Sequence, residues 1–279
     1  MSESEIPPVL SEVEAQPTRA KWRWLVSVLL LAGYVLGIGI AGPLLKGDGG
    51  STGPAMPDDL GSLMRLCAVD LGMFAAVFAI AWLFSRARRA ELFLKWRGGV
   101  RPVLWGIAYS IGLRVAVMII GAIMVAPIYA LKGEKAIEGF RPKTESLINT
   151  KALKDPAYAT FMMTVVSFGM AGFREELWRV GMMAGLAGLA PAVFATRRGQ
   201  YIAVAIAAVI FGLGHAPQGW GGVVLTGALG LGLGWIIVRH QSIWEAVMAH
   251  GFFDATTFAA LYVIVRFAPE ALKAFGISA

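Results

Sequence analysis

Five ionisable side chains lie inside segments that are apolar enough to be membrane spans. They are Glu175, Glu176, His215, His250 and Asp254. A charged side chain at the centre of a bilayer costs about 2.5–3.5 kcal/mol on insertion scales, so such residues usually serve a function. A glutamate that acts as a general base, together with two histidines, is chemically suited to hydrolysis by activated water.

The spacing along the chain gives three of these residues a neighbour on their own helix. Residues four apart lie on one helix face, which pairs Asp254 with His250 and Arg179 with Glu175. An aspartate one turn from a histidine can accept its ring N–H and fix its tautomer. The pattern therefore indicates positioned acid–base groups.

Composition indicates a membrane protein. Of the 279 residues, 57% are hydrophobic and only 15% are charged, whereas soluble domains carry about 25% charged residues. The net charge of +7 comes mostly from Lys and Arg in short loops beside apolar runs, which is typical of membrane proteins. We therefore expect a lipid bilayer, and no nucleic acid, as the partner of this basic chain.

Seven apolar segments could form membrane helices. At about 1.5 Å per residue, about 20 residues cross a hydrocarbon core of roughly 30 Å. We predict an all-α fold, a polytopic transmembrane helical bundle with seven spans, or eight. The predicted spans are 24–45, 66–84, 103–131, 158–189, 201–215, 221–238 and 243–265.

The chain divides into four regions. Residues 1–20 are acidic and proline-containing, which predicts a disordered tail. Residues 21–157 hold three spans and a long loop, 132–157, which we expect to be exposed. Residues 158–265 form the helical core that carries the five ionisable residues, and 266–279 form a C-terminal tail.

The distribution of basic residues predicts the orientation. The positive-inside rule favours a cytoplasmic N-terminus, in a bacterial cytoplasmic membrane. Glu175, His215 and His250 then lie at depths of about 12–22 Å at 1.5 Å per residue. The three helices can therefore bring these groups together within the membrane.

Three motifs, in order along the chain, resemble a known protein family over about residues 158–260. They read EELWR at 175–179, FGLGH at 211–215 and HGFFD at 250–254. The family is that of the CPBP intramembrane proteases, which include the type II CAAX prenyl endopeptidases and bacterial relatives linked to bacteriocin immunity. Order, separation and apolar context all agree with it.

The chain departs from the family pattern at two positions. The family usually has three residues between the second glutamate and the arginine, whereas here there are two, so helical spacing pairs Arg179 with Glu175 rather than Glu176. The last position is commonly Asn, but Asp254 can donate a hydrogen bond only when protonated. We therefore expect Asp254 to orient His250.

The resemblance implies an endopeptidase that cleaves a membrane-associated protein or peptide. It implies that Glu175 activates water, that His215 helps to hold this water and that His250 stabilises the oxyanion. Arg179 and Phe211 would be supporting residues. Metal use stays open, because Glu175, His215 and His250 match the three-ligand pattern of catalytic zinc, yet the same groups could act with no metal.

Two other functions fit intramembrane acids and histidines. A transporter or proton relay is one, but it predicts inverted repeats, and the two halves of the chain show no convincing similarity. A non-catalytic immunity or scaffold protein with the same fold is the other.

Three more charged residues in or near the spans, Asp70, Arg114 and Glu245, lack a motif, and we expect no contact with substrate from them. Arg174 is expected to be an ion-pair partner.

Overall fold

Eight α-helices form the computed structural model, which describes residues 19–37, 39, 56–96, 98–133, 137, 140, 142 and 148–271. They are α1 (Lys21–Leu36), α2 (Leu60–Ser85), α3 (Arg101–Lys132), α4 (Pro156–Leu189), α5 (Pro191–Phe194), α6 (Arg197–Gly214), α7 (Gly219–His240) and α8 (Trp244–Phe267). The predicted all-α fold is confirmed. The predicted tails lie mostly outside the described residues, at 1–18 and 272–279.

Polar side chains cap α2 and α4 where these helices begin. The Asp59 carboxylate accepts the backbone N–H of Ser62 at 2.9 Å before α2, and that of Asp155 accepts the N–H of Ala157 at 2.8 Å before α4. Pro156 occupies the first turn of α4, where its missing N–H costs nothing. These caps mark where the two helices begin. α2 begins at Leu60, six residues before its predicted span, and α4 begins at Pro156, two residues before its predicted span.

Five of the described helices are long and apolar enough to cross a membrane: α2, α3, α4, α7 with the turn before it, and α8. The protein is thus a multi-pass integral membrane protein. α1 and α6 correspond to the other two predicted spans. Of the first predicted span, 38 and 40–45 lie outside the described residues. α6 has 18 residues and begins at Arg197, four residues before the predicted span.

The outer surface of α3 is apolar along its length. Ile111, Met118, Ile123 and Leu131 are all exposed, with Leu131 at 84%. Water would not stabilise such a surface, whereas lipid does, so this helix faces the bilayer.

α4 is one continuous helix, as predicted, but its winding changes along its length. It is α-helical over Pro156–Phe161, π-helical over Met162–Glu175 and α-helical again over Glu176–Leu189. π-helical turns are rare and frequently occur at functional sites. The second change of winding falls between the two glutamates.

Close helix contacts hold α6 against α7. A Cβ on Gly212 would come within 2.6 Å of the carbonyl oxygen of Val223, so only glycine allows this approach.

α4 lies at the centre of the bundle, with α8 along its π-helical part and α1 along its second half. This arrangement brings the motif-bearing segments of α4, α6 and α8 together.

The prediction that loop 132–157 is exposed is wrong for its last part. Ala152 and Leu153, in a short 3-10 helix, are buried, and so is Asn149. They pack beside Leu63 at the start of α2, and the Asn149 amide donates a hydrogen bond to Asp58. The prediction of exposure was based on the charged residues of this loop. Its few apolar residues nevertheless pack against the helices.

Candidate active site

The two adjacent glutamates of α4 face different surroundings. Consecutive residues on a helix point about 100° apart. The Glu176 side chain is completely buried, whereas that of Glu175 keeps 15% of its surface exposed. Only Glu175 can therefore meet water in this conformation.

Glu176 joins a buried network of charged groups. Its carboxylate accepts hydrogen bonds from Nε and Nη2 of Arg179 at 2.8 and 3.2 Å. The predicted pairing of Arg179 with Glu175 is wrong, because residues three apart are also helix neighbours and Glu175 is turned towards a cavity. The Arg179 guanidinium also lies 4.7 Å from the centre of the Phe211 ring.

Glu176 also fixes the ring of His250. Its Oε1 lies 3.1 Å from His250 Nδ1, and since a carboxylate paired with arginine accepts, Nδ1 carries the proton. The opposite nitrogen, Nε2, lies 3.8 Å from Glu175 Oε2 and 3.9 Å from Asp254 Oδ2. Neither distance is a hydrogen bond. Nδ1 thus faces Glu176 on α4, whereas Asp254 lies on the Nε2 side, and the prediction that Asp254 orients His250 stays a prediction.

His215 sits at the end of α6 and has a defined tautomer. Its Nδ1 lies 2.8 Å from the backbone oxygen of Phe211. A carbonyl oxygen only accepts, so Nδ1 donates, and Nε2 of the neutral ring is an acceptor. The Phe211 ring packs edge-on against the imidazole, with centroids 4.7 Å apart, which restrains its orientation.

Glu175 and His215 line the same cavity. Its volume is about 130 Å³, well above the roughly 10–15 Å³ that one water molecule requires. The cavity can therefore hold water and part of a substrate. Residues of α1, α2, α4 and α6 line it: Tyr34, Val35, Asp70, Phe74, Arg174, Glu175, Trp178, Phe211, Gly214 and His215.

Two further polar residues line this cavity: Asp70, which the sequence analysis named only as a charged residue without a motif, and Tyr34, which it did not name. Asp70 forms an ion pair with Arg174, which also donates to Glu175 Oε1 at 2.9 Å, and the Tyr34 hydroxyl donates to Asp70 Oδ1 at 3.1 Å. The prediction that Arg174 is an ion-pair partner is thus confirmed. An acid inside an apolar span was the available signal, because it requires a partner.

The residues do not fit a three-ligand metal site. Among the residues that the structure describes, no group of three or more His, Cys, Asp and Glu side chains is arranged to hold a metal ion. Glu175 and His215 share a cavity, but His250 directs Nδ1 towards Glu176 and is not among the residues lining it. We therefore derive no step through a metal.

Comparison with known proteins gives one family match. Residues 156–256 match the family described as type II CAAX prenyl endopeptidase Rce1-like. The family prediction is confirmed for this region. It contains Glu175, His215 and His250, whereas Tyr34 and Asp70 precede it. No curated protein and no solved structure matches the chain. At the level of the family, this match supports a CAAX-protease-like peptidase.

Proposed function

We propose that the protein is an intramembrane endopeptidase that cleaves a membrane-associated protein or peptide with water activated by Glu175. One observation supports this most strongly. Glu175 and His215, from different helices, line one cavity, and His250 Nε2 lies only 3.8 Å from Glu175 Oε2. A base and an acceptor for water thus share one cavity, and a potential donor lies beside the base.

The two oxygens of Glu175 have different roles in this proposal. Oε1 accepts a hydrogen bond from Arg174, which leaves Oε2 to accept a proton from water. Nε2 of His215 accepts a hydrogen bond from the second hydrogen of that water. This hydrogen bond orients the water so that a lone pair of its oxygen faces the scissile carbonyl carbon. As the C–O bond forms, the carbonyl electrons move to its oxygen, which becomes an oxyanion.

His250 supplies the stabilising donor. With both nitrogens protonated, its Nδ1–H stays with Glu176 and its Nε2–H donates to the oxyanion, where charge develops. Asp254, 3.9 Å from Nε2, adds negative charge beside the imidazolium. When the C–N bond breaks, Glu175 returns its proton to the leaving nitrogen, which gives an amine and a carboxylic acid.

Asp70 would position the base through Arg174. A guanidinium can bind both oxygens of one carboxylate, which would occupy Glu175 completely. Asp70 forms an ion pair with the same guanidinium, and the Tyr34 hydroxyl donates a hydrogen bond to Asp70. The guanidinium therefore binds only one oxygen of Glu175, and Oε2 of Glu175 stays available. Asp70 is in this sense a positioning residue rather than a catalytic one.

Replacement of each glutamate by its isosteric amide tests the proposal. In cells that produce wild type, Glu175→Gln, Glu176→Gln or Glu91→Gln, the termini of membrane proteins are compared by mass spectrometry. Glu91 lies in the loop after α2, outside the cavity, and serves as control. General-base catalysis contributes about 10²–10⁴-fold, so Glu175→Gln should abolish the processed termini at unchanged protein level, and Glu91→Gln should not.

The result for Glu176→Gln separates the two acids. We expect it to lower both stability and cleavage, since Arg179 and His250 lose their shared partner. If Glu175→Gln cells contain the same set of processed termini as wild type, Glu175 is not the base. If the processed termini disappear only with Glu176→Gln, then Glu176 and not Glu175 is the base, and the proposed scheme is wrong.

A further inference from the structure

A second, larger cavity forms a groove between α2 and α4. Its volume is about 820 Å³. Apolar side chains form most of its walls, among them Leu71, Phe78, Trp82, Leu94, Phe173 and Leu177. Apolar pockets of several hundred Å³ are the usual size for organic ligands, and this one lies along membrane-spanning helices.

The length of the groove corresponds to one leaflet of a bilayer. Its residues on α2 run from Leu71 to Trp82, which is about 16 Å at 1.5 Å per residue. The hydrocarbon core measures roughly 30 Å, so one leaflet is about 15 Å deep. A groove of this length can hold a single acyl chain from the interface to the bilayer centre.

The end of the groove where α2 stops is basic. Arg86, Arg88 and Arg89 all line it and are exposed. Arg88 lies 3.6 Å from Glu91, but within the described part of the chain neither Arg86 nor Arg89 has a carboxylate at ion-pair distance. Arg86 adopts a left-handed backbone conformation, with φ of 51°, and its guanidinium lies 5.3 Å from the centre of the Trp82 ring.

We propose that this groove binds one anionic phospholipid. The acyl chain would lie between α2 and α4, and the phosphate would accept charge-assisted hydrogen bonds from Arg86 and Arg89. Basic pockets between membrane helices on one face of the bilayer bind anionic head groups in this way. Charge complementarity at the interface end, joined to an apolar channel of leaflet length, favours a phospholipid over a ligand that has only one of these parts.

The lipid would also touch the candidate active site. Phe74 and Arg174 line both the groove and the smaller cavity, so a bound acyl chain packs against the side chain that holds Glu175. Lipid occupancy would therefore restrain the arginine between Asp70 and Glu175. Binding itself stands apart from catalysis and does not depend on the proposed peptidase activity.

Native mass spectrometry of the delipidated full chain tests the head-group contacts. The protein is titrated with phosphatidylglycerol and, separately, with phosphatidylcholine of the same acyl chains. We expect one tight phosphatidylglycerol adduct. Because each basic residue near the membrane surface adds about 1 kcal/mol of attraction, the double variant Arg86→Gln/Arg89→Gln should bind about thirty-fold more weakly. Arg198→Gln, an exposed basic residue at the start of α6, is the control and should bind as wild type.

A second pair of variants tests the acyl-chain contacts. Ala79 lines the groove, whereas Ala76, also exposed on α2, does not. Ala79→Phe should fill the groove and weaken phosphatidylglycerol binding, and Ala76→Phe should leave it unchanged. Far-ultraviolet circular dichroism confirms that both variants are folded.

Several outcomes would overturn the proposal. Equal affinity for the two lipids, or unchanged binding by the double arginine variant, would exclude head-group selection. Competition by free glycerol phosphate as strong as that of the lipid would exclude the acyl channel. A lipid-modified peptide that occupies the groove while phosphatidylglycerol does not would assign it to a substrate instead.

Discussion

The buried pair of Glu176 and Arg179 makes a quantitative prediction about stability. Neither side chain has any exposed surface, and two hydrogen bonds of 2.8 and 3.2 Å join them. Replacing one partner removes the main compensation of the other buried charge, and breaking a buried pair in this way costs about 3–5 kcal/mol. We expect Arg179→Met to lower the free energy of unfolding by this amount, because methionine fills similar space but leaves Glu176 facing only His250.

Removing both charges should cost much less than the sum of the single changes. In Glu176→Gln/Arg179→Met no ionised group of the pair remains, and replacing a buried ion pair by neutral groups is often close to neutral in stability. The double variant should therefore be at least about 1 kcal/mol more stable than additivity predicts, as is usual for residues in one network.

Reversible unfolding in mixed micelles, followed by circular dichroism, measures these free energies. Arg198→Met, at an exposed position, is the matched control and should stay within about 0.5 kcal/mol of wild type. A loss for Arg179→Met below about 1 kcal/mol would be the value of a surface salt bridge. That result, or strict additivity in the double variant, would refute the reasoning.

Three further predictions concern other parts of the molecule. Asp70→Asn should free the arginine that it shares with the proposed base and slow cleavage about ten-fold, equivalent to about 1.4 kcal/mol in the barrier; an unchanged rate in a peptide-cleavage assay would contradict the positioning role. Gly230→Ala would place a Cβ 3.1 Å from the buried guanidinium and should cost about 1–3 kcal/mol in unfolding free energy, whereas Gly72→Ala, with nothing within 4 Å among the described residues, should not destabilise. The hydrogen bond from Ser62 holds the pKa of the Asp59 carboxyl below its ordinary value of 3.8, so the cap is complete above pH 3.8 and is lost as the pH falls through the pKa of the folded state. In Asp59→Asn the Ser62 amide should stay protected from hydrogen exchange in acid, whereas in the wild type it should lose this protection. Equal loss of protection in both proteins would exclude the cap as the cause.

Hydropathy was sufficient to predict the helices, because long apolar runs have few other structures in a bilayer. The predicted run 158–189 corresponds to α4, Pro156–Leu189. The other boundaries that lie in the described part of the chain differ from the predicted ones by one to six residues, and the end of the first predicted span lies outside that part. The π-helical winding of Met162–Glu175 was not predictable from the sequence pattern, since the pattern of apolar residues does not distinguish i to i+5 from i to i+4 hydrogen bonds.

The motifs identified the ionisable residues but not their partners. Spacing alone could not decide between residues three and four apart, so Arg179 was assigned to the wrong glutamate; the choice depends on the cavity towards which Glu175 turns. Asp70 is about a hundred residues away from Arg174 in the chain and carries no motif. Only the packing of α2 against α4 brings the two together.

The smaller cavity, which Glu175 and His215 line, is built from both halves of the chain. Tyr34, Asp70 and Phe74 come from α1 and α2, before the region 156–256 that matches the peptidase family. A chimera that joined this region to the amino-terminal helices of another protein would lose the acid that competes for Arg174 and the ring that closes the wall. The two halves are therefore not exchangeable modules, and substitutions in the amino-terminal helices should co-evolve with those around Arg174.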